Sequence, residues 1–367
     1  MAKKLTSFDK FMKKYTDAFG PSSFENDVAE LFREDAKPFA NNITRCGIGS
    51  IIAEKKGSAN APKIMVAGHM DEIGFMVKGI TKQNYLKVNN LGGWWTHNLV
   101  GQKVIVRTSS GKEIIGVFGS KAPHSLEPEE RKKVMKLENL YVDVGVTEDD
   151  EDYLKKELGI RVGDPIVPLS DYHKMGKDGK MLMAKAWDNR IGVIAALKVL
   201  ENLSKNDHPN SYYAVGTVQE EVGLRGAGTS AYVVDPDIAF AVDVTLASDI
   251  PGAKDSEWAE KLGKGPSISV MDGSLTPNPR LRDFVIDIAE ENNIPYQLGS
   301  LTKGGTDGGR IAQTRGGTPT LTLSISTRYI HAHNGILHND DVENLIKLLT
   351  AVIKKLDKKA VEKIRYK

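Results

Sequence analysis

Two histidines and a set of carboxylates stand where apolar runs of the chain give way to turns. They lie in Gly68-His69-Met70-Asp71, Ala186-Trp187-Asp188-Asn189-Arg190 and Gln219-Glu220-Glu221-Val222-Gly223, at Asp243, and in Tyr329-Ile330-His331. Imidazole nitrogens and carboxylate oxygens ligate divalent cations, and two cations ~3.5 to 4 Å apart need a carboxylate to bridge them. Asp188 is the candidate bridge. Two adjacent carboxylates at a strand end point in different directions, so one of Glu220 and Glu221 can bind metal while the other faces the water beside it. Asp71, two residues beyond His69, is placed to orient a ligand ring.

Each residue alone has an ordinary explanation. Asp188 could cap the helix that follows, Asp71 could sit in a plain turn, and the acidic pair could be solvated. Against these readings stand the five ligand sites predicted along one sheet edge, and the apolar strand that runs straight into Glu220 and Glu221, where desolvation needs compensation. Among His331, His333 and His338, spacing does not choose a ligand. Residues 304–309, Gly-Gly-Thr-Asp-Gly-Gly, lack the Gly-Lys-Ser/Thr ending of a phosphate loop and read as a flexible active-site loop carrying Thr306 and Asp307. Lys303 beside it offers a cation to an acidic substrate side chain, although a solvated loop lysine is an equal reading.

These residues need elements to position them. Residues 64–67, 212–218, 238–242 and 321–325 are apolar, rich in β-formers, and predict buried strands, each ending beside metal-ligating side chains. Ligand sites beyond the carboxyl ends of strands are the expected placement in open α/β sheets. Helical spacing predicts helices over 7–19 behind a Ser7 cap, over 188–203, and over 281–292. The alternation favours an α/β fold, an α/β/α sandwich on a mixed sheet. Residues 76–165 differ in texture, with short alternating runs at 103–106, 113–118 and 140–146 between Gly, Ser and charged turns. They predict an inserted β-rich domain, which leaves residues 1–75 and 166–367 as a discontinuous catalytic domain.

Composition narrows the partners. Fifty Lys and Arg against 48 Asp and Glu give a net charge of +2, too small for an extended nucleic-acid footprint. No apolar run reaches the roughly 18 to 20 residues of a membrane span. The lone Cys46 cannot close an intrachain disulfide, and the polar start from Met1 to Lys4 and beyond has no signal-peptide core. A cytoplasmic location is the expectation.

Several stretches, in this order, resemble the glutamyl aminopeptidase and tetrahedral (TET) aminopeptidase family of dinuclear metallopeptidases. They are Ala67-Gly68-His69-Met70-Asp71-Glu72-Ile73-Gly74, Ala184-Lys185-Ala186-Trp187-Asp188-Asn189-Arg190-Ile191-Gly192, Gln219-Glu220-Glu221-Val222-Gly223-Leu224-Arg225-Gly226-Ala227, Gly305-Thr306-Asp307 and Arg328-Tyr329-Ile330-His331. The resemblance implies two divalent ions, zinc, cobalt or manganese. His69 and Asp243 would hold one, Glu221 and His331 the other, and Asp188 would bridge them, with Glu220 and Asp71 catalytic. It selects His331 over its neighbours and leaves His333, which departs from the family's small or Pro residue, as a pocket residue. It also implies that the insertion is a small β-barrel mediating dimer contacts, with assembly into homo-oligomers up to tetrahedral dodecamers.

The expected activity is removal of N-terminal residues from short peptides, with acidic residues preferred if Lys303 faces the substrate. Two rival readings are a metal-dependent hydrolase of N-acyl amino acids or other amides, and an inactive metal-binding scaffold. The second would need a missing ligand or base, and none is missing.

Overall fold

The computed structural model describes residues 4–58, 60–147, 152–253 and 260–366, so residues 1–3 of the polar start lie outside it. An eight-stranded mixed sheet forms the centre. From edge to edge it runs Asn42–Arg45, Ile51–Lys55, Ser211–Thr217, Lys63–His69, Ile238–Leu246, Thr320–Thr327, Ser267–Asp272 and Gln297–Leu301. The four strands from Ser211–Thr217 to Thr320–Thr327 are mutually parallel, and antiparallel pairings begin on either side of them.

Period-two alternation divides the side chains between two layers. Ile64 and Val66 join the core beneath helices Ser7–Asp17, Asn26–Ala36, Trp187–Ser204, Pro279–Glu291 and Asn339–Lys355. Met65 and Ala67 face the opposite side, where they pack on Ala227, Ala231 and Ile311 of helices Arg225–Val234 and Asp307–Ala312. Each fully buried Ile, Val or Leu adds about 1.5–3 kcal/mol to such a core. No described helix is long and apolar enough to cross a membrane.

Six strands, Gly74–Ile80, Leu86–Leu91, Lys103–Arg107, Glu113–Gly119, Tyr141–Asp143 and Pro165–Pro168, close a barrel. Pro165–Pro168 seals it by pairing with both Gly74–Ile80 and Lys103–Arg107. Its separate core holds Phe75 against Trp94 and Phe118, both with ring centroids at 4.8 Å. The chain enters the barrel five residues after His69 and returns to the sandwich through a three-stranded sheet of His173–Met175, Met181–Ala184 and Gly335–His338, which the periodicity does not predict.

Local differences have local causes. The first helix is capped by Thr6 rather than Ser7, in a reciprocal capping box with Asp9. Asp243 lies inside its strand rather than beyond it, since Ile238–Leu246 extends four residues further than the apolar run. Of residues 140–146 only Tyr141–Asp143 pair as a strand. The glycine-rich run is only partly a loop, because Thr306 caps a short helix from Asp307 to Ala312.

Candidate metal centre

Parallel registration gathers the site. Thr217 is opposite His69, and Ala67 is opposite Ala241 in the next strand. His69, the turn after Thr217 and Asp243 therefore meet at the carboxyl ends of three neighbouring strands. The helix carrying Asp188 reaches the same edge because Gly68 and Gly192 touch backbone to backbone. A Cβ on Gly68 would fall 2.3 Å from the Gly192 carbonyl carbon.

Asp188 does not cap that helix. The backbone is non-helical at Asp188 and Asn189, and Asn189 caps the regular turns that follow: its Oδ1 accepts from Gly192 N at 3.0 Å, while its Nδ2 donates to Val242 O at 2.6 Å. With capping assigned to its neighbour, the Asp188 carboxylate faces the two histidines. Its Oδ1 lies 3.1 Å from His69 Nε2 and its Oδ2 lies 3.4 Å from His331 Nε2. Asp243 Oδ1 and Glu220 Oε2 flank His69 Nε2 at 4.0 and 3.8 Å, and Glu221 Oε2 is 3.5 Å from His331 Nε2. Two triplets have ligand atoms within 4.8 Å of one another, His69 with Asp188 and Glu221, and His69 with Glu220 and Asp243.

The remaining hydrogen bonds aim these groups. His69 Nδ1 lies 3.0 Å from the Asp71 carbonyl oxygen, an acceptor that puts a ring proton on Nδ1 and turns Nε2 toward the cluster. The Asp71 carboxylate accepts from Glu220 N at 3.0 Å, Glu221 N at 3.1 Å and Ser22 Oγ at 2.7 Å. Glu25 Oε1 accepts from Gln219 N at 3.0 Å. Gln219, Tyr329 and His331 all hold left-handed φ, at 56°, 62° and 59°, conformations that cost about 1–3 kcal/mol each, and the Glu25 and Asp71 contacts help stabilise the first of them. Beneath them a fully buried Arg190 and Lys185 both pair with Glu72, tying the His69 strand end to the Asp188 segment.

Electrostatics identify what the cluster lacks. Burial opposes the charged His69 ring, yet Glu220, Asp188 and Asp71 outweigh it and raise its pKa well above the ordinary value. Burial likewise opposes ionised Asp188, but His331 and His69 hold it below the usual carboxylate range. Burial pushes Glu220, Glu221 and Asp243 well up, helped by the carboxylates crowding each of them. Among the described residues no Lys or Arg ion-pairs with Asp188, Glu220, Glu221 or Asp243, and the buried Glu221 Oε1 has no hydrogen-bond partner. Four crowded carboxylates and two imidazoles without a cationic side chain fit divalent metal.

The cluster floors a cleft of about 520 Å³ whose wall includes Val244, Leu246, Leu301, Lys303, Gly304, Thr306 and Ile330. Lys303 is exposed on that wall. Thr306 turns its hydroxyl away, to Asp272 Oδ2 at 3.0 Å and Thr322 Oγ1 at 2.9 Å. Asp307 does not line the cleft: it is buried behind it, accepts from Thr217 Oγ1, and is pushed up to about 6 by burial. His333 is not a pocket residue either. It is buried against Trp94, at a centroid distance of 5.5 Å, and burial lowers it to about 4. His338 caps the helix that follows it.

Pattern reading missed Ser22 and Glu25, which lie far upstream, and Gly92 and Gly93 from the barrel. A Cβ on Gly92 would fall 2.5 Å from Ile73 Cγ2 and 3.0 Å from Glu221 Oε2, and one on Gly93 would fall 3.0 Å from His331 Nδ1. The paired glycines in a strand-rich segment were the available signal for a close approach.

The profile of M42 glutamyl aminopeptidases matches residues 49–348. The chain belongs to the M42 glutamyl aminopeptidase family. The M42 chain is 34% identical to the glutamyl aminopeptidase of Lactococcus lactis subsp. cremoris over 98% of its length and 99% of that protein's. It is also 34% identical to the lysyl aminopeptidase of Pyrococcus furiosus, over 95% of its length and 97% of that protein's. A TET aminopeptidase from a marine sediment archaeon of the Thaumarchaeota superposes with a TM-score of 0.93 at 43% identity, covering 97% of this chain and 98% of that one. The Pyrococcus horikoshii TET1 peptidase, which can assemble into a tetrahedron or a large octahedral shell, superposes at 0.82 with 32% identity, covering 95% and 100%. As an M42 protein the chain is a metalloaminopeptidase, a metal-dependent peptide hydrolase.

Proposed function

We propose that the chain removes N-terminal residues from short peptides with two divalent cations, zinc, cobalt or manganese, per subunit. His69 and Asp243 would hold one, Glu221 and His331 the other, and Asp188 would serve both. The observation that carries this reading is the division of Asp188 between two histidines, one oxygen 3.1 Å from His69 and the other 3.4 Å from His331. When bound, such ions lower the pKa of a water and polarise the scissile carbonyl.

The side chains supply the rest. Glu220 accepts a proton at the cleft floor and delivers it to the leaving amine, a role supported by its place in the cleft lining with Oε2 3.8 Å from His69 Nε2. Asp71 positions Glu220 and Glu221 through their backbone N–H groups and keeps the His69 ring oriented. Lys303 pairs with an acidic first side chain. The two 34% relatives carry the names glutamyl and lysyl, so identity gives no preference, and Lys303 on the cleft wall is what supports an acidic one.

Residues 76–165 form the inserted dimerisation domain of this reading, and dimers build a tetrahedral dodecamer. Exposed Ile115, at 65%, and Trp95, at 61%, on the barrel segment support an interface there. Turnover of Glu-, Asp-, Leu- and Lys-anilides, with metal and after chelation, and of N-acetylated controls, tests the activity. Faster turnover of Glu and Asp anilides is expected, a preference for Leu removes the acidic assignment, and turnover of the acetylated substrates alone removes the aminopeptidase.

A further inference from the structure

Val244, Leu301 and Thr306 line the cleft and also a second, smaller cavity behind it, of about 10 Å³, room for one water-sized species. The rest of that cavity is largely oxygen-lined. Its wall includes Thr245, Ser267 and Ser324 and the carboxylates of Glu260 and Asp272. Asp272 is fully engaged. Its Oδ1 accepts from Ser274 N, Ser274 Oγ and Leu275 N at 2.7–2.8 Å, and its Oδ2 accepts from Thr306 Oγ1 at 3.0 Å and Thr322 Oγ1 at 3.4 Å.

Glu260 is different. It is 1% exposed, and its Oε1 accepts from Ser267 Oγ at 3.2 Å and Thr245 Oγ1 at 3.4 Å, while its Oε2 has no partner among the described residues. Among the described residues the partners of both carboxylates are backbone N–H groups and hydroxyls, with no Lys or Arg. The strand alongside makes room for this charge. A Cβ on Gly299 would fall 1.7 Å from Glu260 Oε1, so any larger residue there would expel the carboxylate. A carboxylate admitted to the interior and left with a bare oxygen at a cavity requires a compensating cation or donor.

We infer that this cavity binds a potassium ion, held by Glu260 Oε2 and by the hydroxyl oxygens of Thr245 and Ser267. Those hydroxyls turn their protons to Glu260 Oε1, which leaves their lone pairs for a cation. One free carboxylate oxygen among neutral hydroxyls suits a monovalent ion. Calcium recruits several charged oxygens, and Asp272 has none to spare. Potassium matches the water-sized space. The ion braces the back of the cleft wall, between the strand that carries Asp243 and the segment from Leu301 to Thr306, and the inference does not depend on the peptidase reading.

The test uses the full chain at constant ionic strength. In potassium chloride the melting temperature is expected to exceed that in tetramethylammonium chloride by about 2–4 °C. Glu260→Gln should lose that difference, and Ser267→Ala should raise the half-saturating potassium concentration several-fold. Crystals of the unmutated protein soaked in thallium(I) should show an anomalous peak between Glu260 and Ser267. Equal melting in the two salts, or no thallium in the cavity, overturns the inference and assigns the space to water. Neither readout involves peptide turnover, so failure here leaves the assigned hydrolysis untouched.

Discussion

The Asp71 carboxylate accepts the backbone N–H of Glu220 at 3.0 Å, so the residue that orients the His69 ring also aims the proposed base. Its second oxygen does the same for Glu221 at 3.1 Å. Asp71→Asn presents an amide N–H to one of these donors. We expect kcat to fall about 10–100-fold with weakened metal binding. Steady-state kinetics with metal titration checks this, and unchanged kcat would show that Asp71 only fills a turn.

The two oxygens of Asp188 address different histidines, which predicts unequal effects of ligand loss on metal content. Asp243→Ala should retain about one of two ions, whereas Asp188→Ala should lose tight binding of both. Elemental analysis after dialysis reads the ratio. Equal retention by the two variants would remove the bridge.

Burial, with Asp71 nearby, pushes Glu25 up to about 7. The folded protein thus keeps a proton that the unfolded chain releases near 4.5, and the stability gained from Glu25 falls as pH rises from 4.5 to 7. Glu25→Gln can accept the same N–H of Gln219 and stays neutral. It should match the wild type near pH 4.5 and exceed its stability by up to about 3 kcal/mol above pH 7.5. Denaturant midpoints at pH 5 and pH 8 test the slope. A constant difference between the two proteins would contradict it.

Much of this site was legible in the sequence because strand periodicity and chemistry coincide there. His69, Glu220, Glu221 and Asp243 follow apolar runs whose parallel pairing brings them to one edge. What was not legible depends on contacts distant in sequence. Ser22 reaches Asp71 across 49 residues and Glu25 reaches Gln219 across 194, and no local pattern encodes such pairs. His333 was assigned to the pocket because it departs from the small or Pro residue of the family it resembles, and such a departure does not say which way the side chain turns. The left-handed His331 turns the chain, and His333 packs into the barrel contact instead. Asp307 was misread because Thr306 starts a helix that carries it behind the cleft.

The barrel presents Ile115 outward on strand Glu113–Gly119, while Phe118 faces its core. If this face joins subunits, Ile115→Lys should reduce the molar mass measured by light scattering to that of a smaller assembly. Circular dichroism should remain unchanged. An unaltered mass would place the interface elsewhere.

Glu220, the proposed base, also has the geometry for a competing role, since it lies with His69 and Asp243 in a triplet able to ligate metal. The decisive measurement is turnover of an aminoacyl anilide by Glu220→Gln, with bound metal determined on the same sample. A base at Glu220 predicts wild-type metal content and a loss in kcat of about 10²–10⁴-fold. Near-normal turnover would contradict it, and loss of metal together with activity would make Glu220 a ligand and leave the base unassigned.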